Sequence, residues 1–150
     1  MVLTNNIKKY ISQSVLCWLA TVSEDSIPNV SPKEIFTYYK SEYLIVANIA
    51  SPQTEKNIKR NSNVCISFID VLVQKGYQLK GKASIIDKTN LEFDDVASNL
   101  LKMTEGKFPF ETIFKIKIES TKEILAPKYV LYPETTEEEQ INSAKKTYGL

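Results

Sequence analysis

Two periods of apolar residues alternate along this chain, and the switches between them outline its elements. Ile7, Tyr10 and Ile11 recur at i, i+3, i+4 spacing behind Thr4 or Asn5, which predicts a short capped helix through about Ser14. Val15 to Val22 (VLCWLATV) is apolar at successive positions, the pattern of a strand covered on both faces. A turn at Glu24-Asp25-Ser26 leads into Pro28 to Tyr39, which reads as one strand interrupted or bulged at Pro32. Lys40-Ser41 then turns the chain into a third strand, Tyr43 to Ile49.

Pro52 falls at the first position of a predicted helix, with Ser51 as candidate N-cap and an end near Arg60 before Asn61-Ser62-Asn63. Val64 to Ile69 and Tyr77 to Ile86 read as strands four and five, with Gly81 as a bulge or close-approach site. Thr89 is a candidate cap for a longer helix carrying Phe93, Val96, Ala97, Leu100 and Leu101 on one face. Thr112 to Ile118 alternates apolar residues with Lys115 and Lys117, a half-exposed sixth strand. From Ala126 the pattern changes to a C-terminal arm, with Tyr129, Leu131 and Tyr132 between Pro127 and Pro133, then an acidic TEEEQ run and a short helix. Six strands without strand–helix alternation predict a mainly β fold, a six-stranded antiparallel barrel, over residues 1–125, with 126–150 packing on it or on a partner.

Composition narrows the chemistry. A chain of 150 residues with 43% hydrophobic content can bury one core, and a net charge of +1 argues against a general polyanion surface. A nucleic-acid reading through Lys56, Lys59, Arg60 and exposed tyrosines is weakened for the same reason. No apolar run is long enough to span a membrane, and the first twenty residues lack a signal-peptide pattern, so the expected location is the cytoplasm. Cys17 and Cys65 read as small buried hydrophobes and suggest neither a disulfide nor a metal site. The chain has no histidine. That removes Ser-His and Cys-His catalysis and a proximal-histidine haem ligand, so redox chemistry must come from a cofactor or from Lys, Tyr, Asp and Glu.

The stretch from Tyr43 to Phe68 places a helix start just beyond a strand end. Unpaired N–H groups there, the Ser51 and Thr54 hydroxyls, Lys56 and Asn57 would suit a phosphate. Two or three charge-assisted hydrogen bonds of about 1.5–3 kcal/mol each would supply part of the roughly 8 kcal/mol that micromolar binding needs. The alternative is a simple cap by Ser51, with Lys56, Lys59 and Arg60 forming a solvated face.

The order WLATVSEDSIPNVSPKE, LIVANIASPQTEKNIKRNSNV and QLKGKA resembles the FMN-binding split barrel of the pyridoxamine 5′-phosphate oxidase-like superfamily, over about residues 10 to 90. The resemblance implies FMN bound at a homodimer interface, with a small-molecule substrate or nicotinamide meeting the open face of the ring. By position, Pro28 to Lys33, with Asn29, Val30, Ser31, Pro32 and Lys33, would line the ring. Val46, Ala47 and Asn48 would follow at the third strand, Ser51 would contact the phosphate, and Gln78 would lie near the ring. The oxidase follows that serine with Arg-Lys where this chain has Pro52-Gln53, so cations must come from Lys33, Lys56 or a partner chain. The oxidase also uses a C-terminal arginine-histidine pair, which this chain lacks. The expected function is therefore an FMN-dependent oxidoreductase of undefined substrate, or a flavin-binding module without turnover. Trp18 is expected in the core or a dimer interface, and Tyr129 to Tyr132 are candidates to cover a partner's flavin edge.

Overall fold

The computed structural model describes residues 1–150. Its strands are β1 (Cys17–Val22), β2 (Pro28–Lys33), β3 (Phe36–Tyr39), β4 (Tyr43–Ala47), β5 (Asn63–Asp70), β6 (Lys75–Ile86) and β7 (Ile113–Leu125). The helices are α1 (Asn5–Gln13), α2 (Pro52–Arg60), α3 (Phe93–Thr104), α4 (Pro127–Leu131) and α5 (Glu137–Tyr148). All strands join one curled antiparallel sheet in the order β2-β1-β5-β6-β7-β4-β3. The mainly β fold expected from the pattern is present, with seven strands instead of six.

The extra strand comes from the segment Pro28 to Tyr39, which breaks at Glu34-Ile35 instead of continuing through Pro32. Its two halves lie at opposite edges of the sheet: Pro32 pairs with Trp18 on β1, whereas Phe36 pairs with Val46 on β4. A proline lacks the donor that a second neighbour would need, and an edge strand has no second neighbour.

Two apolar clusters lie on opposite faces of the sheet. The inner one gathers Leu19, Phe36, Leu44, Val46, Ile66, Phe68, Leu79, Phe114, Ile116 and Ile118, and it is closed by Leu3 and by Ile7, Tyr10 and Ile11 of α1. The outer one is made by α3, whose Phe93, Val96, Ala97 and Leu100 pack on Tyr39, Ile45, Ala47, Ile86 and Ile113. Strand β4 feeds both clusters alternately, which explains its unbroken apolar run. β1 does not. Cys17 and Leu19 face the interior, but Trp18 is 46% exposed, because α3 covers only the β4–β7 half of the outer face, and Val15, just before the strand, is 77% exposed. The two-sided burial expected for Val15 to Val22 is therefore absent within one chain. Cys65, expected to be buried, is only half-buried, and both cysteines are free.

The close approach expected at Gly81 is present. The β6–β7 register shifts between Lys80 and Gly81, and a Cβ on Gly81 would stand 2.0 Å from the Lys117 carbonyl oxygen. Thr89 does not cap α3. Its N–H and hydroxyl both donate to Asp87, at 2.8 and 2.6 Å, in a local turn, and the helix starts at Phe93. β7 runs on to Leu125, well past Ile118, where pairing with β6 alone sustains it. The arm then folds back on the β5–β6 turn: the Tyr129 hydroxyl donates to the Val73 carbonyl at 2.7 Å, and Lys75 meets Glu137 at 3.0 Å.

Candidate functional site

The corner after β4 is built by a short sequence of backbone constraints. Pairing of β4 with β7 ends at Ala47 and Ile113. Ala50 takes a left-handed conformation (φ 49°), unfavourable for a residue with a Cβ, and Pro52 then sets the first turn of α2. Ser51 occupies the N-cap position but its side chain does not cap the helix. Its hydroxyl donates instead to the Ile49 carbonyl at 3.0 Å. The first-turn N–H groups of α2 thus lack the side-chain acceptor that N-caps normally provide.

Lys33, at the end of β2, faces the same corner. It pairs with Cys17, so its side chain lies on the inner face, and its Nζ donates to the Ser51 Oγ. Lys33 is 9% exposed, and no carboxylate forms an ion pair with it. Burial lowers its pKa below the ordinary lysine value, opposed by the neighbouring Cys17 sulfur. Burial pushes the Cys17 thiol up to about 12, so it stays protonated and supplies no counter-charge near neutral pH. A buried ammonium balanced only by neutral groups is electrostatically incomplete, and an anion completes it.

The other residues singled out by sequence divide into groups. Thr54 and Asn57 are buried and moor α2: Thr54 meets Ser31 at 3.4 Å, and Asn57 donates to Thr21 at 2.9 Å while accepting from Gln53. Asn48 donates to Glu55 and to Thr112, both at 2.8 Å, tying the corner to the start of β7. Asn29 and Ser31 share the inner face with Lys33, whereas Val30 and Pro32 face outward opposite Ala20 and Trp18. Val46 is wholly buried in the inner cluster and presents no side-chain surface; Ala47 remains at the floor of a cleft. Lys56 is exposed on the outer side of α2 with Lys59 and Arg60, around a shallow depression that includes neither Ser51 nor Lys33. The cation at the corner is Lys33. Gln78 lies in the outward row Pro32–Trp18–Ser67–Gln78, on the face opposite Lys33. Three strand spacings put it about 14 Å from Pro32, so one chain does not bring it to the corner.

The cleft beside Lys33 has a volume of about 180 Å³ and is lined by Pro32, Lys33, Glu34, Ile35, Ala47, Ile49 and Phe108. Ligand pockets usually measure roughly 300–1,000 Å³, so a single chain encloses only part of a ligand of cofactor size. Glu34, Ile35, Ile49 and Phe108 were absent from the sequence-based set. For Phe108 the signal was an exposed-type phenylalanine in the Gly-Lys-Phe-Pro-Phe loop, which hydrophobic periodicity does not register. A cation, an open helix start and an apolar floor suit an anion attached to a planar ring. No group of three or more His, Cys, Asp or Glu side chains is arranged to hold a metal ion.

Comparison with protein families matches pyridoxamine 5′-phosphate oxidase over residues 3–125. The chain belongs to that family. A comparison with curated proteins finds no match. Among solved structures, HupZ of Group A Streptococcus is 24% identical, with 79% of this chain and 91% of that chain covered and a TM-score of 0.69. An FMN-binding protein from Syntrophomonas wolfei is 18% identical, with 78% and 82% covered and a TM-score of 0.66. HutZ, the heme storage protein of Vibrio cholerae, is 20% identical, with 83% and 96% covered and a TM-score of 0.66. At these identities the structural likenesses establish the split-barrel fold that the family shares. No helix is long and apolar enough to cross a membrane.

Proposed function

We propose that the chain binds FMN as a homodimer and acts as an FMN-dependent oxidoreductase on a small molecule. One observation carries this reading. Lys33 is buried without a carboxylate partner and bonded to Ser51, whose hydroxyl leaves the start of α2 uncapped. A phosphate monoester there completes the charge of Lys33 and accepts from the open N–H groups. Ile35, Ala47 and Ile49 then exclude water beside it. FMN, when bound, supplies the electron chemistry, while the chain holds the phosphate and fixes the ring's orientation.

The homodimer rests on two features of one chain. The cleft is too small for the whole cofactor, and Gln78 lies with exposed Trp18 on the uncovered outer face. A second copy meeting that face would bring its Gln78 toward the first copy's ring. Oxidation of pyridoxamine phosphate itself is disfavoured: the chain has no histidine, and Arg60 is its single arginine. The scarcity of acid–base groups in the cleft, Lys33 and Glu34 alone, also favours a second reading, a flavin carrier without turnover.

The test is titration of the purified protein with FMN, riboflavin and hemin, followed by anaerobic mixing with NADH or NADPH. FMN bound more tightly than riboflavin supports the reading, and bleaching of bound flavin by a nicotinamide supports catalysis over carriage. A protein that ignores both flavins while developing a bound-hemin Soret band would overturn it.

A further inference from the structure

Phe108 stands in the loop between α3 and β7, half exposed at 50%, and belongs to neither apolar cluster. It borders two spaces at once. On one side is the Lys33 cleft with its floor of Ile35, Ala47 and Ile49. On the other is a crevice of about 510 Å³ against α3, whose walls include Ala97, Leu101, Thr104 and Pro109.

Hydrogen bonds and packing fix the loop at its ends. Glu105 and Gly106 both take left-handed backbone (φ 49° and 74°), and the Gly106 and Lys107 N–H groups donate back to Thr104 at 3.3 and 2.9 Å. At the far end Phe110 packs on the outer cluster, and the Thr112 carbonyl accepts from the Asn48 N–H at 3.0 Å. No hydrogen bond holds Phe108 itself. A phenyl ring left out of the core, across an apolar floor from a buried cation, contributes little to folding. It offers a flat face to whatever enters the cleft.

We propose that Phe108 is a specificity-determining wall of this site: it packs against the planar ring of a ligand whose phosphate is held at Lys33 and Ser51. This rests on the FMN reading above. The phosphate corner sets which anion is accepted, and Phe108 sets which ring. Ligands with a conjugated planar ring gain the contact, and saturated phosphate esters do not.

The test measures FMN and riboflavin affinities of the full-length wild type, Phe108→Ala, Phe108→Trp and Lys33→Met, together with the emission of bound flavin. Phe108→Ala should weaken both flavins by the same factor, about fivefold to tenfold, leaving the FMN-to-riboflavin ratio unchanged. Lys33→Met should change that ratio. Phe108→Trp should retain flavin affinity and quench bound-flavin emission relative to wild type, through an indole in contact with the ring. Unchanged flavin affinity in Phe108→Ala, or a loss confined to FMN, overturns the wall while leaving the FMN reading intact. A wild type that binds neither flavin overturns that reading, and the wall with it.

Discussion

Helices α2 and α5 begin with the same kind of residue and resolve their first turns in opposite ways. At α5, Thr136 accepts from the Glu139 N–H at 3.1 Å, and Glu139 accepts from the Thr136 N–H at 2.9 Å, a closed capping box. At α2, Ser51 turns to the Ile49 carbonyl and to Lys33, and no side chain caps the helix. One hydroxyl spends its hydrogen bonds on the stability of its own helix. The other leaves a helix start open beside a buried cation. A helix start whose cap is directed elsewhere keeps its N–H groups free for an anion, and here the residue before Ser51, Ala50, takes the left-handed conformation (φ 49°).

The largest expected effect comes from removing the cation. Lys33→Met should weaken FMN by roughly 10- to 100-fold, the loss of one charge-assisted hydrogen bond, with riboflavin nearly unaffected. The unliganded protein should lose no stability, since an unpaired buried charge is replaced by an apolar chain of similar length. Calorimetric titration and denaturant unfolding check the two halves. Equal losses for FMN and riboflavin would remove the distinction between the two helix starts.

The two hydroxyls should then separate cleanly. Ser51→Ala should weaken FMN by about three- to tenfold, because the Lys33 ammonium loses the hydroxyl that holds it at the helix start. In a Lys33→Met background, where no cation is orphaned, it should change unfolding free energy by less than about 0.5 kcal/mol. Thr136→Ala should cost about 1 kcal/mol of stability and leave FMN affinity unchanged. A reversed pattern would mean that Ser51 is a structural residue after all.

A pH series sharpens the same contrast. Because burial lowers the Lys33 pKa, its charge is lost at a lower pH than for an ordinary lysine. FMN affinity should be full below the unliganded protein's Lys33 pKa. It should fall as pH rises from there to the higher pKa that a bound phosphate imposes. Riboflavin affinity should stay flat across that window, and Lys33→Met should abolish the difference. The smallest effect is expected at Lys56→Ala, less than about twofold at physiological salt, because that ammonium is exposed on the far side of α2.

Helical periods were readable because they are local. α1 behind Thr4 and α2 behind Ser51 and Pro52 lie where the pattern placed them. The division of Pro28 to Tyr39 into two edge strands was not legible, since partners on β1 and β4 decide it and Glu34-Ile35 carries no turn signal. β7 beyond Ile118 was missed because the five residues Glu119 to Glu123 are polar on both faces, which breaks the apolar alternation. The corner was located through Ser51, but its cation was assigned ambiguously. Lys56 is five positions from Ser51 in sequence, while Lys33 is eighteen away and reaches it only through the curl of the sheet. Phe108 lies in a loop whose position depends on where α3 packs, so no periodicity marked it.

The route from β2 to β3 has a consequence for motion. These strands are the two ends of the sheet order, so no ladder of hydrogen bonds joins them, and Glu34-Ile35 alone carries the chain across. The cleft is lined by that crossing and by the ends of the strands beside it. The wall of the barrel therefore has a seam, and the site lies on it. Elsewhere, widening the cylinder means breaking rows of backbone hydrogen bonds; here the crossing is tied by one, from the Ala47 N–H to the Ile35 carbonyl at 3.0 Å. Amide exchange should show this as fast opening at Glu34 and Ile35 beside slow exchange in β5 and β6, with ligand slowing the seam alone.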